Sequence, residues 1–257
     1  MNSESIACDV SDLTNPGKGY AVKRAFLSPG EADAYRAESE KFLATSRAVY
    51  KKIHRYCKHD YIWSEDGKVV PGVFTYRIYQ SLTCKHSKPT EEIFQRMLLL
   101  RDRIETTWLG NEQYRKIRQD QYDYAQVTSY GKPSPGIAKH CDYQGKAPFP
   151  LLQCLIFLTR HGVDYTGGDL ILYTKNGNRL NVQATLKLEQ GDALLFDKSL
   201  YHEVEPTLTS ESSEIGRWTA VIGARYPSPA LSARTKRLLS RVASKVSEAV
   251  PALRRFA

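Results

Sequence analysis

Residues 188–206, LEQGDALLFDKSLYHEVEP, contain two short strand-like segments, Ala193 to Phe196 and Tyr201 to Glu205. The turn signal Gln190-Gly191-Asp192 precedes the first segment, and Pro206 follows the second. Short segments between turn signals are typical of β-strands, because helices need a longer periodic run. This part of the chain therefore predicts two neighbouring strands of a β-rich core.

The same pattern continues on both sides of these residues. Residues from Gln121 to Tyr130 alternate with a period of two, and turn signals such as Gly167-Gly168 and Asn176-Gly177-Asn178 separate the later segments. Many short strands with regular turns are typical of a sandwich or a barrel. The other predicted strands of the core are Leu151 to Leu158, Asp169 to Tyr173, Ala184 to Leu188 and Arg217 to Tyr226.

Two helices are predicted before this core. Ser28-Pro29-Gly30-Glu31 provides an N-cap serine, a proline at the first helical position and a capping-box glutamate, and the helix is expected to run to about Tyr50 or His54. The second helix is predicted to follow Pro89-Thr90 and to continue to Leu109, with Gly110 ending it. Its apolar face contains Ile93, Met97, Leu100 and Ile104, and residues 60 to 80 between the helices are expected to form strands and turns, including Val73 to Tyr79.

A third helix is predicted after the core, from about Ser228 to Val250. This helix has an apolar stripe on one side and a basic stripe on the other. The pattern favours a helix that docks by its apolar side and keeps its charges in water, over one that binds nucleic acid or an anionic membrane. The apolar stripe contains Leu231, Leu238, Val242, Val246 and Val250, and the basic stripe contains Arg234, Arg237, Arg241 and Lys245.

Composition and charge limit the possible classes of protein. The 257 residues are 41% hydrophobic and 25% charged, which is ordinary globular composition and excludes wholesale disorder and fibrous repeats. The net charge is +9, but residues from Arg225 onward carry eight bases and one acid, so this tail holds +7 and the rest only +2. The body of the protein is therefore not expected to bind nucleic acid.

The chain is expected to be one cytoplasmic domain. The longest apolar run, Leu151 to Leu158, is far shorter than the roughly 18 residues of a membrane span, and the N-terminus has no secretory signal. Five cysteines without a CxxC pair predict reduced thiols. The expected organisation is a support region of helices and strands at 1–120, the β core at 121–227 and the basic helix at 228–257.

His140-Cys141-Asp142 is the first part of a candidate metal site. Residues two apart along a strand point to the same face, so His140 and Asp142 are expected to aim together while Cys141 points away. His202 begins a predicted strand 62 residues later. Two imidazoles and one carboxylate form the facial triad of non-haem Fe(II) oxygenases, although a lone histidine before a strand is more often structural.

Three further segments accompany this triad. They are Gly167-Gly168-Asp169-Leu170, the stretch 188–206 and Gly216-Arg217-Trp218-Thr219. With them, the chain resembles the Fe(II)- and 2-oxoglutarate-dependent dioxygenases from about Gln121 to Pro227. The resemblance implies a double-stranded β-helix, or jelly roll.

The resemblance also implies the cofactors and their residues. His140, Asp142 and His202 would hold Fe(II), and Arg217 with Thr219 would bind the distal carboxylate of 2-oxoglutarate. Arg217 and Thr219 share one face of a strand, and an arginine fork pairs well with a carboxylate, although an arginine on an edge strand can instead face solvent. The polar run Thr207 to Ile215 is expected to be a long hairpin loop. It lengthens the spacing between His202 and Arg217 relative to the commoner pattern of the family.

Other candidate residues depend on their position alone. Gln126 and Tyr124, on the strand before the HxD, are predicted to contact 2-oxoglutarate, although tyrosines at this period often only pack. Tyr143, Arg77 and Tyr79 are candidate substrate residues. His54, His59, His86 and His161 lack a partner at ligand spacing and are expected to be structural or on the surface.

The expected function is oxidation of an unactivated C–H bond of a small molecule, such as an amino acid or a secondary-metabolite intermediate. The resemblance implies that O2 is consumed and that 2-oxoglutarate becomes succinate and CO2, with hydroxylation as the default outcome. The alternatives are an oxygenase of a macromolecule (a nucleic-acid demethylase or a protein hydroxylase), which only the basic tail supports, and a non-enzymatic metal-binding jelly roll. The protein is expected to be a monomer or a homodimer.

Overall fold

A computed structural model describes residues 18–45, 75–80, 87–118, 121–130, 136–142, 152–209 and 215–225. In residues 75–80 and 122–124 it describes the backbone only. Within these ranges no helix has the length and apolarity that a membrane crossing requires.

The described residues form twelve strands and four helices. The strands are β1 (Tyr20–Lys23), β2 (Thr75–Gln80), β3 (Tyr122–Tyr130), β4 (Ile137–His140), β5 (Leu152–Phe157), β6 (Tyr165–Gly167), β7 (Leu170–Tyr173), β8 (Arg179–Asn181), β9 (Ala193–Asp197), β10 (His202–Val204), β11 (Thr207–Thr209) and β12 (Trp218–Arg225). The helices are α1 (Pro29–Thr45), α2 (Lys88–Leu109), α3 (Asn111–Arg118) and α4 (Val182–Leu186).

Two antiparallel sheets form the core. The larger has the order β1-β9-β5-β12-β3-β2, and the smaller has the order β4-β10-β7-β8. A separate pair, β11 with β6, connects to the ends of both. This is the jelly-roll arrangement that the sequence predicts, and the sheets are not closed into a barrel.

Each face of the larger sheet is buried against a different layer. In β5, Cys154 and Ile156 join the apolar cluster that contains the buried sides of α1 and α2. Leu155 and Phe157 join the cluster that lies between the two sheets. Burial on both faces explains why Leu151 to Leu158 is apolar at every position except Gln153 instead of alternating.

Both predicted helices before the core are confirmed within the described ranges. At the start of α1, the backbone N–H of Ser28 donates to Glu31 Oε2 at 2.8 Å and that of Glu31 donates to Ser28 Oγ at 3.3 Å, which is a capping box. Helix α2 begins after Ser87, three residues earlier than predicted, and ends at Gly110, whose φ of 78° suits glycine. Its predicted apolar face is buried.

The segment Ala184 to Leu188 is the wrong prediction. It is not a strand: residues 182–186 form α4, because the Asn181 side chain accepts a hydrogen bond from the N–H of Ala184 at 2.9 Å and caps a helical turn. Helix α3 was not expected, and the predicted loop after Thr207 begins with a short strand, β11.

Several predictions lie outside the described residues. These are the first helix beyond Thr45, the strands and turns at 60–74, Tyr143, His54, His59, His86 and the terminal helix at Ser228 to Val250.

Candidate active site

The two strands that carry the candidate metal ligands are neighbours in the smaller sheet. His140 is the last residue of β4, and His202, the first of β10, lies directly opposite it in the antiparallel register. Asp142 lies two residues beyond the end of β4. One ligand atom from each of the three residues lies within 4.8 Å of the others. The three residues that the sequence predicts as ligands therefore lie close enough together to bind one metal ion.

Individual distances support a shared ligand position. Asp142 Oδ1 lies 4.0 Å from His140 Nε2, and Asp142 Oδ2 lies 3.8 Å from His202 Nε2. The two imidazole rings are 4.2 Å apart between centroids. Two nitrogens and a carboxylate at these separations match the donor set of a facial Fe(II) site.

The orientation of His202 is fixed by its surroundings. Its Nδ1 lies 3.1 Å from the carbonyl oxygen of Leu200. A carbonyl only accepts, so Nδ1 carries the proton and Nε2 offers its lone pair to a metal. The ring is buried and packs against the edge of Phe196 at 5.1 Å between centroids.

Cys141 points away from the ligands that flank it. Its Sγ donates to the carbonyl oxygen of Lys198 at 3.1 Å and lies 3.5 Å from that of Ser199. Both carbonyls belong to the turn before His202. The thiol therefore links the segment that carries His140 and Asp142 to the turn that precedes His202 by a hydrogen bond.

A pocket of about 80 Å³ adjoins the triad. One side is formed by the three ligands, and the other by inward side chains of the larger sheet. The polar residues on that second side are Gln126, Thr128, Gln153, Arg217 and Thr219.

Arg217 is a buried cation without a counter-ion among the described residues. Its side chain is 1% exposed, and none of its three guanidinium nitrogens has a hydrogen-bond partner. The guanidinium lies over the ring of Tyr130, at 4.3 Å from the centroid, and the nearby Thr219 Oγ1 is also unpartnered. A buried charge is costly unless it is paired, so this end of the pocket suits an anion such as a carboxylate. The residues present fit 2-oxoglutarate.

Gly168 provides the space that Arg217 occupies. A Cβ on Gly168 would lie 3.0 Å from Arg217 Cδ and 2.7 Å from Thr207 Oγ1, and the φ of Gly168 is +63°. Both conditions favour glycine. The close approach of Arg217 and Thr207 thereby explains Gly168, whereas a Cβ on Gly167 would lie 2.5 Å from the carbonyl oxygen of Pro206.

Tyr165 is a neighbour of Arg217 that sequence reasoning missed. Burial raises the pKa of its hydroxyl, and the positive charge of Arg217 acts against that rise. Only its position two residues before Gly167-Gly168 could have drawn attention to it.

The structure describes the side chain of Gln126 but only the backbone of Tyr124, Arg77 and Tyr79. Gln126 is buried in the pocket wall, and its Nε2 donates to Thr128 Oγ1 at 2.9 Å. Tyr124 pairs with Gly223 in the backbone register, and β2 places Arg77 opposite Thr128 and Tyr79 opposite Gln126. His161 is outside the pocket, with Nε2 at 2.9 Å from Asp169 Oδ1.

Gln153 is a second polar residue of the pocket that the sequence reasoning missed. It is the one strongly polar side chain in the apolar run Leu151 to Leu158, and that interruption was the available signal. Only 8% of the residue is exposed, and its Oε1 has no hydrogen-bond partner.

Comparison with known proteins gives one family match. Residues 125–222 match the model of the 2OG-Fe(II) oxygenase superfamily. The match covers β3 through most of β12 and includes all three candidate ligands, Arg217 and Thr219. No curated protein sequence matches the chain.

Solved structures share the fold at low sequence identity. A prolyl-4-hydroxylase from Pseudomonas putida is 14% identical with a TM-score of 0.58, and the alignment covers 85% of this chain and 97% of that one. AviO1 from Streptomyces viridochromogenes is 15% identical with a TM-score of 0.52, covering 86% and 94%. SnoN, a non-haem α-ketoglutarate-dependent epimerase from nogalamycin biosynthesis, is 15% identical with a TM-score of 0.50, covering 84% and 80%.

Proposed function

We propose that this enzyme, whose residues 125–222 belong to the 2OG-Fe(II) oxygenase superfamily and which uses Fe(II), 2-oxoglutarate and O2, oxidises an unactivated C–H bond of a small molecule. Hydroxylation is the default outcome. SnoN, which shares the fold, is an α-ketoglutarate-dependent epimerase, so we propose epimerisation, desaturation and ring formation as the alternative outcomes.

Each candidate residue has a distinct proposed role. His140, Asp142 and His202 hold the iron, which when bound activates O2 for the oxidation. Arg217 binds the distal carboxylate of 2-oxoglutarate as a charge-assisted pair, with the Thr219 hydroxyl as a further donor. Gln126 contacts the other end of the cosubstrate, and the long side chain of Tyr124, two residues farther along β3, is proposed to reach back to the same end.

The buried, unpartnered guanidinium of Arg217 is the observation that carries the proposal. It shares one pocket with the His-Asp-His triad. A protein that only bound a metal would not need a carboxylate clamp in the same pocket. The arrangement therefore supports an oxygenase over a metal-binding jelly roll without activity.

Release of CO2 from 2-oxoglutarate, with Fe(II) and O2 supplied, tests the proposal. We expect His202→Ala to abolish release while the protein still unfolds cooperatively. His161→Ala is the matched control, because this histidine lies outside the pocket, and it should retain full turnover. Normal turnover in His202→Ala, or a metal bound at other residues, would reject the assignment.

A small-molecule substrate is supported by the distribution of charge and the narrow pocket. The first 224 residues carry only +2, so the catalytic body has no strong attraction for nucleic acid. We propose an amino acid or a secondary-metabolite intermediate as substrate, with Tyr143, Arg77 and Tyr79 at the mouth of the pocket. A screen of such compounds for stimulated succinate formation tests this proposal. Stimulation by a macromolecule that is lost with added salt would favour the alternative class.

The domain organisation, cellular location and oligomeric state of the enzyme are proposed from its sequence. We propose a single cytoplasmic domain spanning residues 1–257 that acts as a monomer or a homodimer. Gel filtration and a single cooperative unfolding transition would support that description.

A further inference from the structure

The inward face of the larger sheet carries three levels of side chains, which the strand register defines. The carboxylate level is nearest Arg217, the middle level follows, and the outer level comes last. Successive levels are two residues apart, or about 7 Å along a strand. The carboxylate level contains Thr128, Thr219 and Phe157; the middle level contains Gln126, Val221 and Leu155; the outer level contains Gln153 and Phe196.

The cosubstrate is too short to reach the outer level. Its two terminal carbons are separated by four C–C bonds of about 1.5 Å, or about 5 Å in an extended chain. With one carboxylate at Arg217 and Thr219, the other end reaches the middle level, where Gln126 lies. Gln153 is four residues from the carboxylate level, or about 13 Å along the strand.

The outer level is nevertheless next to the iron ligands. Gln153 lies directly opposite Phe196 in the pairing of β5 with β9. Phe196 packs against the ring of His202 at 5.1 Å. Strand β12 contributes no side chain here, because its next inward residue after Val221 is Gly223. A glycine inside a strand is typical of a place where a ligand approaches the backbone.

Gln153 carries a buried acceptor oxygen that has no partner among the described residues, in an otherwise apolar strand. The residue is 8% exposed, and its Oε1 accepts no hydrogen bond. Buried acceptors that stay unpaired are destabilising, so they are rare unless a ligand completes them. At neutral pH 2-oxoglutarate carries two carboxylates and a ketone, none of which donates a hydrogen bond. The cosubstrate therefore cannot satisfy this oxygen.

We infer that the outer level is the subsite of the primary substrate and that Gln153 is a specificity-determining residue within it. Its Oε1 accepts a hydrogen bond from an O–H or N–H group of the substrate. The preferred substrate class is thus a small molecule with a hydroxyl, amine or amide N–H close to the carbon that is oxidised. This inference rests on the proposed function.

Binding of 2-oxoglutarate to the Mn(II)-loaded protein, measured by calorimetry without O2, provides the first test. We expect Gln153→Leu to leave the Kd within about twofold, whereas Arg217→Leu, the positive control, raises it more than about tenfold because a charge-assisted hydrogen bond is lost. An increase of more than about threefold in Gln153→Leu would place Gln153 on the cosubstrate and overturn the inference.

Thermal unfolding of the same variant tests whether Gln153 has a structural role instead. We expect Gln153→Leu to raise the Tm of the ligand-free protein, since it removes a buried unpartnered group. Gln183→Leu is the matched control: Gln183 is also buried, but its Oε1 accepts from the N–H of Leu170 at 2.7 Å, so its Tm should fall. A fall in both variants would contradict the inference.

Cysteine labelling tests whether the outer level stays open when the cosubstrate is bound. Gln153→Cys and Leu155→Cys are two residues apart on the same strand, and both positions line the pocket. A small methanethiosulfonate is the probe, with sites identified by peptide mass spectrometry because Cys141 and Cys154 are also free. At 2-oxoglutarate ten times its Kd, with Mn(II), labelling of Leu155→Cys should slow about tenfold and that of Gln153→Cys less than twofold.

The outcomes separate this inference from the proposed function. Equal protection of both cysteines would show that the cosubstrate covers the outer level and would overturn the inference alone. Failure of the Mn(II)-loaded wild-type protein to bind 2-oxoglutarate would reject the proposed function itself.

Discussion

Arg217 has a cost in the ligand-free protein and a benefit in the complex. Its guanidinium is buried without a counter-ion among the described residues. Arg217→Leu is therefore expected to raise the Tm of the ligand-free protein while weakening 2-oxoglutarate more than about tenfold. Thermal unfolding with and without 2-oxoglutarate measures both effects. Normal turnover of the variant at low 2-oxoglutarate would transfer the role to Arg225.

Asp142 is the proposed metal ligand whose removal should change the chemistry most directly. Asp142→Gly removes a negative charge and opens a metal position, so we predict loss of hydroxylation, with azide or chloride transfer to substrate as the product to seek by mass spectrometry. Asp33→Asn, on the exposed face of α1, is the control and should keep full activity. Native activity in Asp142→Gly would mean that this carboxylate is not a metal ligand.

Sequence reasoning found the residues of the site that carry distinctive chemistry, and it missed the neutral residue Gln153. His140, Asp142, His202 and Arg217 are chemically distinctive, and their spacing along the chain resembles a family pattern. Gln153 has no such signature, because its importance comes from its position opposite Phe196 on another strand. Cross-strand register depends on the whole sheet and is not visible in a local window.

At the scale of elements, the segment from Thr159 to Asp164 supports the strand after Arg217. Asp164 accepts from the backbone N–H of Arg160 at 2.8 Å and from its guanidinium at 2.9 Å, and its carbonyl accepts from Gly216 at 3.2 Å. Thr159 Oγ1 accepts from the N–H of Trp218 at 2.9 Å. We expect Asp164→Ala to lower the free energy of unfolding by about 1–3 kcal/mol in urea titrations at pH 7.

The pH dependence of this effect has a definite sign. Burial raises the pKa of the Asp164 carboxyl, but the hydrogen bonds and charge of Arg160 outweigh it and hold the pKa below its usual value. The stabilisation is therefore present above the unfolded pKa of about 4 and is lost as the pH falls through the folded pKa. The difference between wild type and Asp164→Ala should shrink below pH of about 4. A difference that stays constant with pH would contradict this origin.

The elements differ in how far their sequence determines them. Helix α2 has a serine cap, a four-position apolar face and a terminal glycine, all of which act locally, and it was predicted within three residues at its start. Residues 184–188 alternate like a strand, but the Asn181 cap makes residues 182–186 helical. Local capping there outweighs a short alternating pattern, which is a weak signal over five residues.

At the scale of the whole molecule, the predicted helix from Ser228 to Val250 remains a prediction. Its apolar stripe should dock on the core or on a second subunit, so Leu238→Asp is expected to lower the Tm or dissociate a dimer, as measured by calorimetry and gel filtration. Replacing Arg234, Arg237 and Arg241 together by Gln should leave stability and turnover nearly unchanged.

The opposite result for the basic stripe would change the substrate class. If the triple Gln variant lost activity on its substrate, and added salt produced the same loss in the wild type, the helix would be a docking element for an anionic macromolecule.

If 2-oxoglutarate binds at the buried guanidinium of Arg217, as we propose, the lifetime of the protein depends on the supply of that metabolite. Any molecule that binds only the folded state lowers the unfolded population, by about 2.7 kcal/mol when its concentration is 100 times the Kd. Cellular proteases degrade the unfolded state, so the rate of degradation follows that population. A cell depleted of 2-oxoglutarate would therefore contain fewer copies of this enzyme, and each remaining copy would also work more slowly.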